Sequence, residues 1–314
     1  MTRDATGAIK PTLAAEDLLR AVPGIDNVAT ISARSLMGIP GASLTLDNLL
    51  ELVGVIDKAL AEGTDGVVVI QGTDTIEETA FVLDLLVKGD APVVVTGAMR
   101  GAEAAGADGP ANVLSAVTVA SDPASRGMGT IVILNDEIHA ARFVQKSHTA
   151  LPSAFLSPMA GPIGLVIEGR ARFNVRVHRK QTLDWSRTGP DRPVALALMA
   201  LGDDGRMLGS LASLGYQGAV LVAMGAGHVP AIVMDRIRKL AGEMPVVLAT
   251  RVQTGPIFAR TYGFPGSEKD LLANGVMSAG PLSALKARLL LTLILRQETD
   301  KSAIDAAFQS YLAS

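Results

Sequence analysis

The stretch that most constrains this chain is Gly66-Val-Val-Val-Ile70, followed by Gln71-Gly72-Thr73-Asp74-Thr75 and then by Ile76-Glu-Glu-Thr-Ala-Phe-Val-Leu-Asp-Leu-Leu-Val87. Val67 to Ile70 form an unbroken apolar run, the pattern of a strand covered on both faces in a parallel sheet. A polar turn and a helical apolar spacing follow. The segment therefore predicts strand, turn and helix, with the ligand position of an open α/β sheet at the strand's carboxyl end.

The turn supports two readings. In one, Thr73 or Thr75 caps the helix, and Glu77 and Glu78 suit its positive first turn. In the other, Gly72 admits a ligand close to the backbone, Thr73 is a nucleophile or polariser, and Asp74 belongs to its proton relay. A threonine hydroxyl is nearly inert at neutral pH, so the second reading requires a base elsewhere in the chain.

Charged residues make up 19% of the 314 and apolar ones 48%, a balance that suits α/β folding and argues against disorder. A net charge of −3 gives no electrostatic case for nucleic acid or an anionic membrane. Zero cysteines exclude disulfides and thiol catalysis. No apolar run has the length of a membrane span and Met1-Thr-Arg-Asp-Ala-Thr lacks a signal-peptide core, so a cytoplasmic location is expected.

The pattern divides into a domain over 1–180, a polar linker over 181–192 and a second domain over 193–314. Expected helices cover Thr12 to Val22, Thr45 to Ala61, Pro110 to Ala120, Leu208 to Leu214, Pro230 to Ala241, Ser283 to Arg296 and Ser302 to Leu312. Expected strands cover Asn27 to Ile31, Pro92 to Thr96, Thr130 to Leu134, Val194 to Ala200, Ala219 to Met224 and Val246 to Thr250. The fold class is α/β: a larger N-terminal parallel-sheet domain followed by a smaller αβα domain. His139, Arg142, Lys146 and His148 fall in a segment, 139–152, with little apolar period, which predicts a ligand-side loop. Lys146 is there either a solvated surface lysine or the base paired with Asp74, a role worth roughly 10²- to 10⁴-fold in rate. The four histidines are scattered singly, against a metal site. Gly225-Ala226-Gly227-His228 has two readings, a glycine turn and a phosphate cradle, and the missing third glycine favours the turn.

Taken together, the run from Gly66 to Leu86, Pro92-Val-Val-Val-Thr-Gly-Ala-Met-Arg100, Ala107-Asp-Gly-Pro-Ala-Asn112, Asn135-Asp136, the segment ending at Lys146, Gly161-Pro-Ile-Gly164 and Lys286-Ala287-Arg288 resemble the bacterial-type L-asparaginases. The resemblance implies two αβα domains and a homo-oligomer, dimer or tetramer. It implies hydrolysis of an amino-acid side-chain amide, asparagine before glutamine, with no metal or organic cofactor. Carried over by position, Thr73 matches the family's second catalytic threonine, Asp74 the aspartate that holds substrate and lysine, and Lys146 that lysine. Gly72 and Ala98 match backbone groups of the substrate pocket, and Glu268 a carboxylate lent by a neighbouring subunit. Gly41 stands where the family has a substrate-binding serine, for which Ser43 is the nearest substitute.

The family's opening strand and its T-G-G-T-I turn, with the first threonine, have no match here, nor has the lid tyrosine, in whose place Ala8 or a neighbour stands. Lacking that strand, the sheet is expected to keep an open slot. The alternative function is a catalytically silent amino-acid-binding or regulatory protein of the same fold, and a third is the amidase-like subunit of a tRNA amidotransferase. The expected translation start lies upstream of Met1. In-frame upstream DNA should then encode T-G-G-T-I or a near variant, and its absence there would overturn the expectation.

Overall fold

The computed structural model describes residues 2–3, 9–10, 14–185 and 189–313, the first two pairs by backbone alone. The chain divides into two units, Met1–Thr182 and Leu183–Ser314. Ala8 and residues 186–188 of the expected linker lie outside the described residues.

The first unit opens with an antiparallel pair, β1 (Thr2–Arg3) and β2 (Ile9–Lys10), and the helix α1 (Ala15–Arg20). The strand expected at Asn27 to Ile31 is absent. Ile25–Asn27 is a 3₁₀ turn, and residues 29–40 carry no regular structure. Ala29 and Ile31 instead pack on Val22, Ile25, Val113 and Val117, which buries the apolar alternation without a ladder partner.

Helix α2 (Leu46–Ala61) starts at a reciprocal cap: Thr45 Oγ1 accepts from the Asn48 N–H, and Asn48 Oδ1 accepts from the Thr45 N–H at 3.0 Å. Its buried face is Leu49, Leu50, Val53 and Ile56. Next come β3 (Val67–Ile70), α3 (Ile76–Leu86), β4 (Val93–Thr96), α4 (Gly109–Ser121) and β5 (Thr130–Leu134). Strands β3, β4 and β5 are parallel, with Val67 opposite Val93 and Val93 opposite Thr130. Helix α4 covers the face bearing Val68, Val94, Ile131 and Ile133. Helix α3 packs on β4 and β5, whose alternate residues Val93, Val95 and Val132 are equally buried.

Asn135 and Asp136, at φ 55° and 59°, form the left-handed pair of a two-residue hairpin and return the chain as β6 (Glu137–Ala140). Strands β7 (Gln145–Lys146) and β8 (Phe155–Leu156) make a separate antiparallel pair. Strands β9 (Gly164–Ile167) and β10 (Arg170–Phe173) complete a six-stranded sheet of order β10-β9-β6-β5-β4-β3. The sheet is thus mixed rather than parallel throughout. Residues 139–152 are also no plain loop, since His139 lies in β6 and Lys146 in β7.

Strand β3 ends the sheet among the described residues, and the cover on both faces that its apolar run predicts is incomplete. Val67 to Val69 are half-buried and Ile70 is 36% exposed. The apolar run remains a strand because β4 pairs with it on one side. Residues 174–176, ahead of the expected linker, are bonded to the first unit: the Asn174 and Val175 N–H groups donate to Ile163 O, and Arg176 donates to Ala124 O and Arg126 O.

The second unit is a parallel sheet, β11 (Val194–Leu198), β12 (Gly218–Ala223), β13 (Val246–Thr250) and β14 (Met277–Ser278), in that spatial order. Helix α5 (Met234–Glu243) packs Ile237 and Leu240 against Ala197, Leu221 and Leu248. A short helix α6 (Glu268–Ala273) precedes β14, and α7 (Ala284–Leu295) packs on β11, β12 and β13 with α8 (Lys301–Ala313) against it. The helix expected over Leu208 to Leu214 is only a 3₁₀ turn, Leu208–Ser210. Among the described residues no helix is long and apolar enough to cross a membrane.

Leu86 of α3 is wholly buried. Leu86→Ala is expected to destabilise the first unit by about 2–5 kcal/mol, read as a lower denaturation midpoint, and an unchanged midpoint would refute the packing described.

Candidate active site

The β3–β4 pairing runs one residue beyond the strand, where the Gln71 N–H donates to Thr96 O at 3.1 Å. Gly72 stays extended at φ −63° and ψ 144°, and Thr73–Thr75 then form a 3₁₀ turn that runs straight into α3. Thr73 and Asp74 therefore sit where a strand's carboxyl end meets a helix N-terminus, with its unpaired N–H groups and positive end.

Lys146 arrives from another direction. It lies in β7, opposite Phe155 of β8, and β7 packs on α3. Its Nζ donates to Thr73 Oγ1 at 2.9 Å and to Asp74 Oδ1 at 2.9 Å. The Lys146 side chain is 18% exposed and that of Asp74 63%. Lys146 is accordingly no solvated surface lysine: its amine is mostly enclosed and spans residues 72 and 73 positions away. The helix-capping reading also fails, because neither Thr73 nor Thr75 makes a side-chain cap bond at the start of α3.

The floor beneath Thr73 is Gly97. A Cβ there would stand 2.5 Å from Gln71 O and 3.3 Å from Thr73 Cγ2, so the position excludes a side chain. The following turn through Ala98 is shaped from behind. Asp108 accepts from the Met99 and Arg100 N–H groups, while Asn112 donates from Nδ2 to Gly97 O and Asp108 Oδ2 and accepts from the Asn135 N–H. Asn112 is 2% exposed, and one amide thereby ties the ends of β4 and β5 together. Asp108 and Asn112 stood in the sequence without a role, and nothing there signalled this one.

Histidine 139 is fully buried rather than facing a ligand. Its Nδ1 lies 2.9 Å from Ser157 Oγ, just past β8, so the contact braces the hairpin that carries Lys146. Burial drives the imidazole pKa down to about 4, and also raises that of Glu137. Glu137 Oε2 is 3.2 Å from His139 Nε2 without a hydrogen bond, and with the ring neutral at pH 7 the approach is no ion pair. Arg142 donates to His178 O, and His148 Nδ1 accepts from the Ala150 and Leu151 N–H groups. Of the four basic residues expected beside the ligand, only Lys146 bonds to Thr73 and Asp74, and these three form the trio of the site.

Gly41 and Ser43 lie in a 3₁₀ turn, and Gly41 is buried against Gly72, 2.9 Å separating the position of its absent Cβ from Gly72 O. Ser43 is exposed and makes no hydrogen bond to Thr73, Asp74 or Lys146. In the second unit Glu268 is fully enclosed within its own chain. Its Oε1 accepts from the Thr261 and Tyr262 N–H groups, and its Oε2 lies 3.3 Å from His228 Nε2. Burial pushes this carboxyl up, but the N–H groups of Tyr262 and Thr261, its own N–H and His228 outweigh it and hold the pKa below the ordinary carboxylate range. His228 closes a tight turn with Met224, as the glycine-turn reading predicts, with Gly225 and Gly227 at φ 53° and 117°. Among the described residues no group of His, Asp and Glu could hold a metal.

Two successive α/β units, the first with a hydroxyl, a carboxylate and an amine meeting at the carboxyl end of a parallel strand, define a two-domain α/β protein with a polar ligand site at its strand ends. Residues 1–179 match the family model of the asparaginase N-terminal domain, and residues 193–308 that of the glutaminase/asparaginase C-terminal domain. The chain belongs to the asparaginase family. It is 34% identical over 304 residues to the "Probable L-asparaginase periplasmic" of Haemophilus influenzae, covering 95% of this chain and 85% of that one. It is 36% identical over 306 residues to "L-asparaginase 2" of Bacillus subtilis, covering 94% and 78%. The crystal structure named "Probable Cytoplasmic L-asparaginase" from Campylobacter jejuni superposes with a TM-score of 0.86 at 34% identity, covering 94% of each chain.

His139 titrates near 4 when folded and near its ordinary 6.5 when unfolded. The unfolded chain binds the extra proton, so this contribution to stability is present above pH 6.5 and is lost as pH falls towards 4. It amounts to the order of 3 kcal/mol. Thermal unfolding of wild type and His139→Gln between pH 4 and 7 should show a steeper loss in the wild type, and parallel curves would contradict it.

Proposed function

We propose that the protein hydrolyses the side-chain amide of a small amino acid, asparagine before glutamine, to the carboxylate and ammonia. What carries the proposal is the single amine of Lys146, 2.9 Å from both Thr73 Oγ1 and Asp74 Oδ1. Family membership supports the same chemistry, since relatives at 34–36% identity are named as asparaginases.

Either Thr73 Oγ1 or a water beside it attacks the amide carbonyl. Lys146 takes the nucleophile's proton while Asp74 balances the ammonium that forms. The N–H groups of the turn before α3 face the oxygen on which negative charge develops, and each such donor is worth roughly 10²- to 10³-fold. When the C–N bond breaks, Lys146 returns the proton to the departing nitrogen, which leaves as ammonia. If Thr73 attacked, water then cleaves the ester and restores the hydroxyl. Gly72 and Ala98 line the pocket in this proposal, Asp74 holds the substrate's amino group, and no step calls for a metal or an organic cofactor.

Asparagine-dependent ammonia release tests it. Thr73→Ala and Lys146→Met are each expected to lower kcat by at least roughly 10²-fold. Saturable asparagine binding by the wild type with no ammonia release would sink the hydrolase and leave a silent binding protein.

A further inference from the structure

The hydroxyl of Thr75 is used for neither catalysis nor capping. Thr75 stands at the N-cap of α3, yet makes no side-chain bond to the helix. Its Oγ1 instead donates to Gly41 O at 3.0 Å, across 34 residues of sequence, and accepts from Gln71 Nε2 at 3.2 Å. The same Gln71 nitrogen donates to Gly72 O at 3.2 Å. The main chain at 41 and at 72 is in direct contact. A Cβ at Gly41 would be 2.9 Å from Gly72 O, and one at Gly72 would be 3.4 Å from Gly41 N.

Gly41 is buried in this contact while Ala42 and Ser43, next in the same turn, are exposed. The turn thus meets the chain before α3 at Gly41, where the Thr75 side chain bonds to it.

We propose that Thr75 is a positioning residue: with Gln71 it clamps the Gly41 turn onto Gly72 and so fixes a main-chain wall beside Thr73 against which the non-reacting end of the substrate rests. A threonine hydroxyl has one proton to give and lone pairs to receive, and both capacities are engaged here. Valine keeps the shape but removes the one side-chain donor to Gly41 O, leaving it the Leu44 N–H alone, and takes from Gln71 Nε2 one of its two acceptors, leaving it Gly72 O. Among the described residues the Gly41 turn makes no hydrogen bond to the side chains of Thr73, Asp74 or Lys146, whose own bonds are to one another. Its release therefore weakens substrate and transition state alike, raising KM and sparing kcat.

The inference rests on the hydrolase proposal for its kinetic arm only. Wild type, Thr75→Val and Thr75→Ser are compared in asparagine-dependent ammonia release and in amide hydrogen exchange at Leu44, whose N–H donates to Gly41 O. Thr75→Val should raise KM about five- to tenfold with kcat within about twofold, and should speed exchange at Leu44. Thr75→Ser should keep both near wild type. Unchanged KM and exchange in Thr75→Val, a fall in kcat at constant KM, or serine behaving as valine would each overturn the clamp. If the wild type releases no ammonia, the hydrolase proposal fails by itself and exchange alone decides. Acceleration by valine reversed by serine then upholds the clamp, and wild-type exchange in Thr75→Val refutes it.

Discussion

The site depends on holding one amine in place. Lys146 Nζ meets two oxygens that belong to a turn more than seventy residues earlier, and the strand pair that carries it is only two residues long on each side. Such a pair has no stability of its own in water. What keeps it still is burial beside it: Ala154 and Phe155 are enclosed, the Ser147 N–H donates to Ala154 O, and Ser157 is tied to the buried ring of His139. The ion pair contributes little to that order. Asp74 is largely in water, and pairs of this kind are worth about 0–1 kcal/mol. The fold therefore imposes the geometry on the charges, and the charges do not hold the fold.

The same division recurs around Ala98. A backbone turn facing a ligand cannot fix itself, because its N–H and C=O groups satisfy water as readily as one another. Here Asp108 takes two consecutive N–H groups, and Asn112 bridges Gly97 O to Asn135 across the ends of two strands. Ser115, on the same helix, donates to Asp136, which sits in the left-handed region where an ordinary side chain is strained. Helix α4 thus covers one face of the sheet with its apolar residues and pins the loops at the strand ends with its polar ones.

The elements that the sequence revealed are those whose burial is local in origin. Val93 to Thr96 and Thr130 to Leu134 are continuous β-branched and apolar runs and form strands as expected, and Thr45 with Asn48 marks the start of α2. What stayed hidden depends on partners far along the chain. Val67 to Ile70 reads as a strand covered on both faces, but how fully it is covered depends on what packs and pairs beyond it. Asn27 to Ile31 has strand-like alternation and buries it on α4 without pairing. Leu208 to Leu214 offers only Leu208 and Leu211 to the core and has Gly209 inside it, too little to keep a helix beyond one turn. Thr73, Asp74 and Lys146 were legible as a constellation through the family resemblance, whereas the partner of Thr75 lies 34 residues back and leaves no mark in local pattern.

The two acid–base contacts, Lys146–Asp74 and His228–Glu268, look alike as sequence features but do different work, and burial separates them. Glu268 has no exposed surface, and its charge is sustained by two neighbouring N–H groups that it orders in return. It joins the turn at 261–262 to the ring of His228, which also packs edge-on against Tyr262 and Phe264. Withdrawing that carboxylate would leave the Thr261 and Tyr262 N–H groups without their acceptor, so whatever else it does it ties this turn in place. Asp74 faces the opposite situation. With one oxygen on Lys146 and most of its surface open, it retains lone pairs for a ligand at no structural cost. Glu268 Oε2 likewise lacks a hydrogen-bond partner, but it is enclosed within its own chain, whereas the free lone pairs of Asp74 face open space.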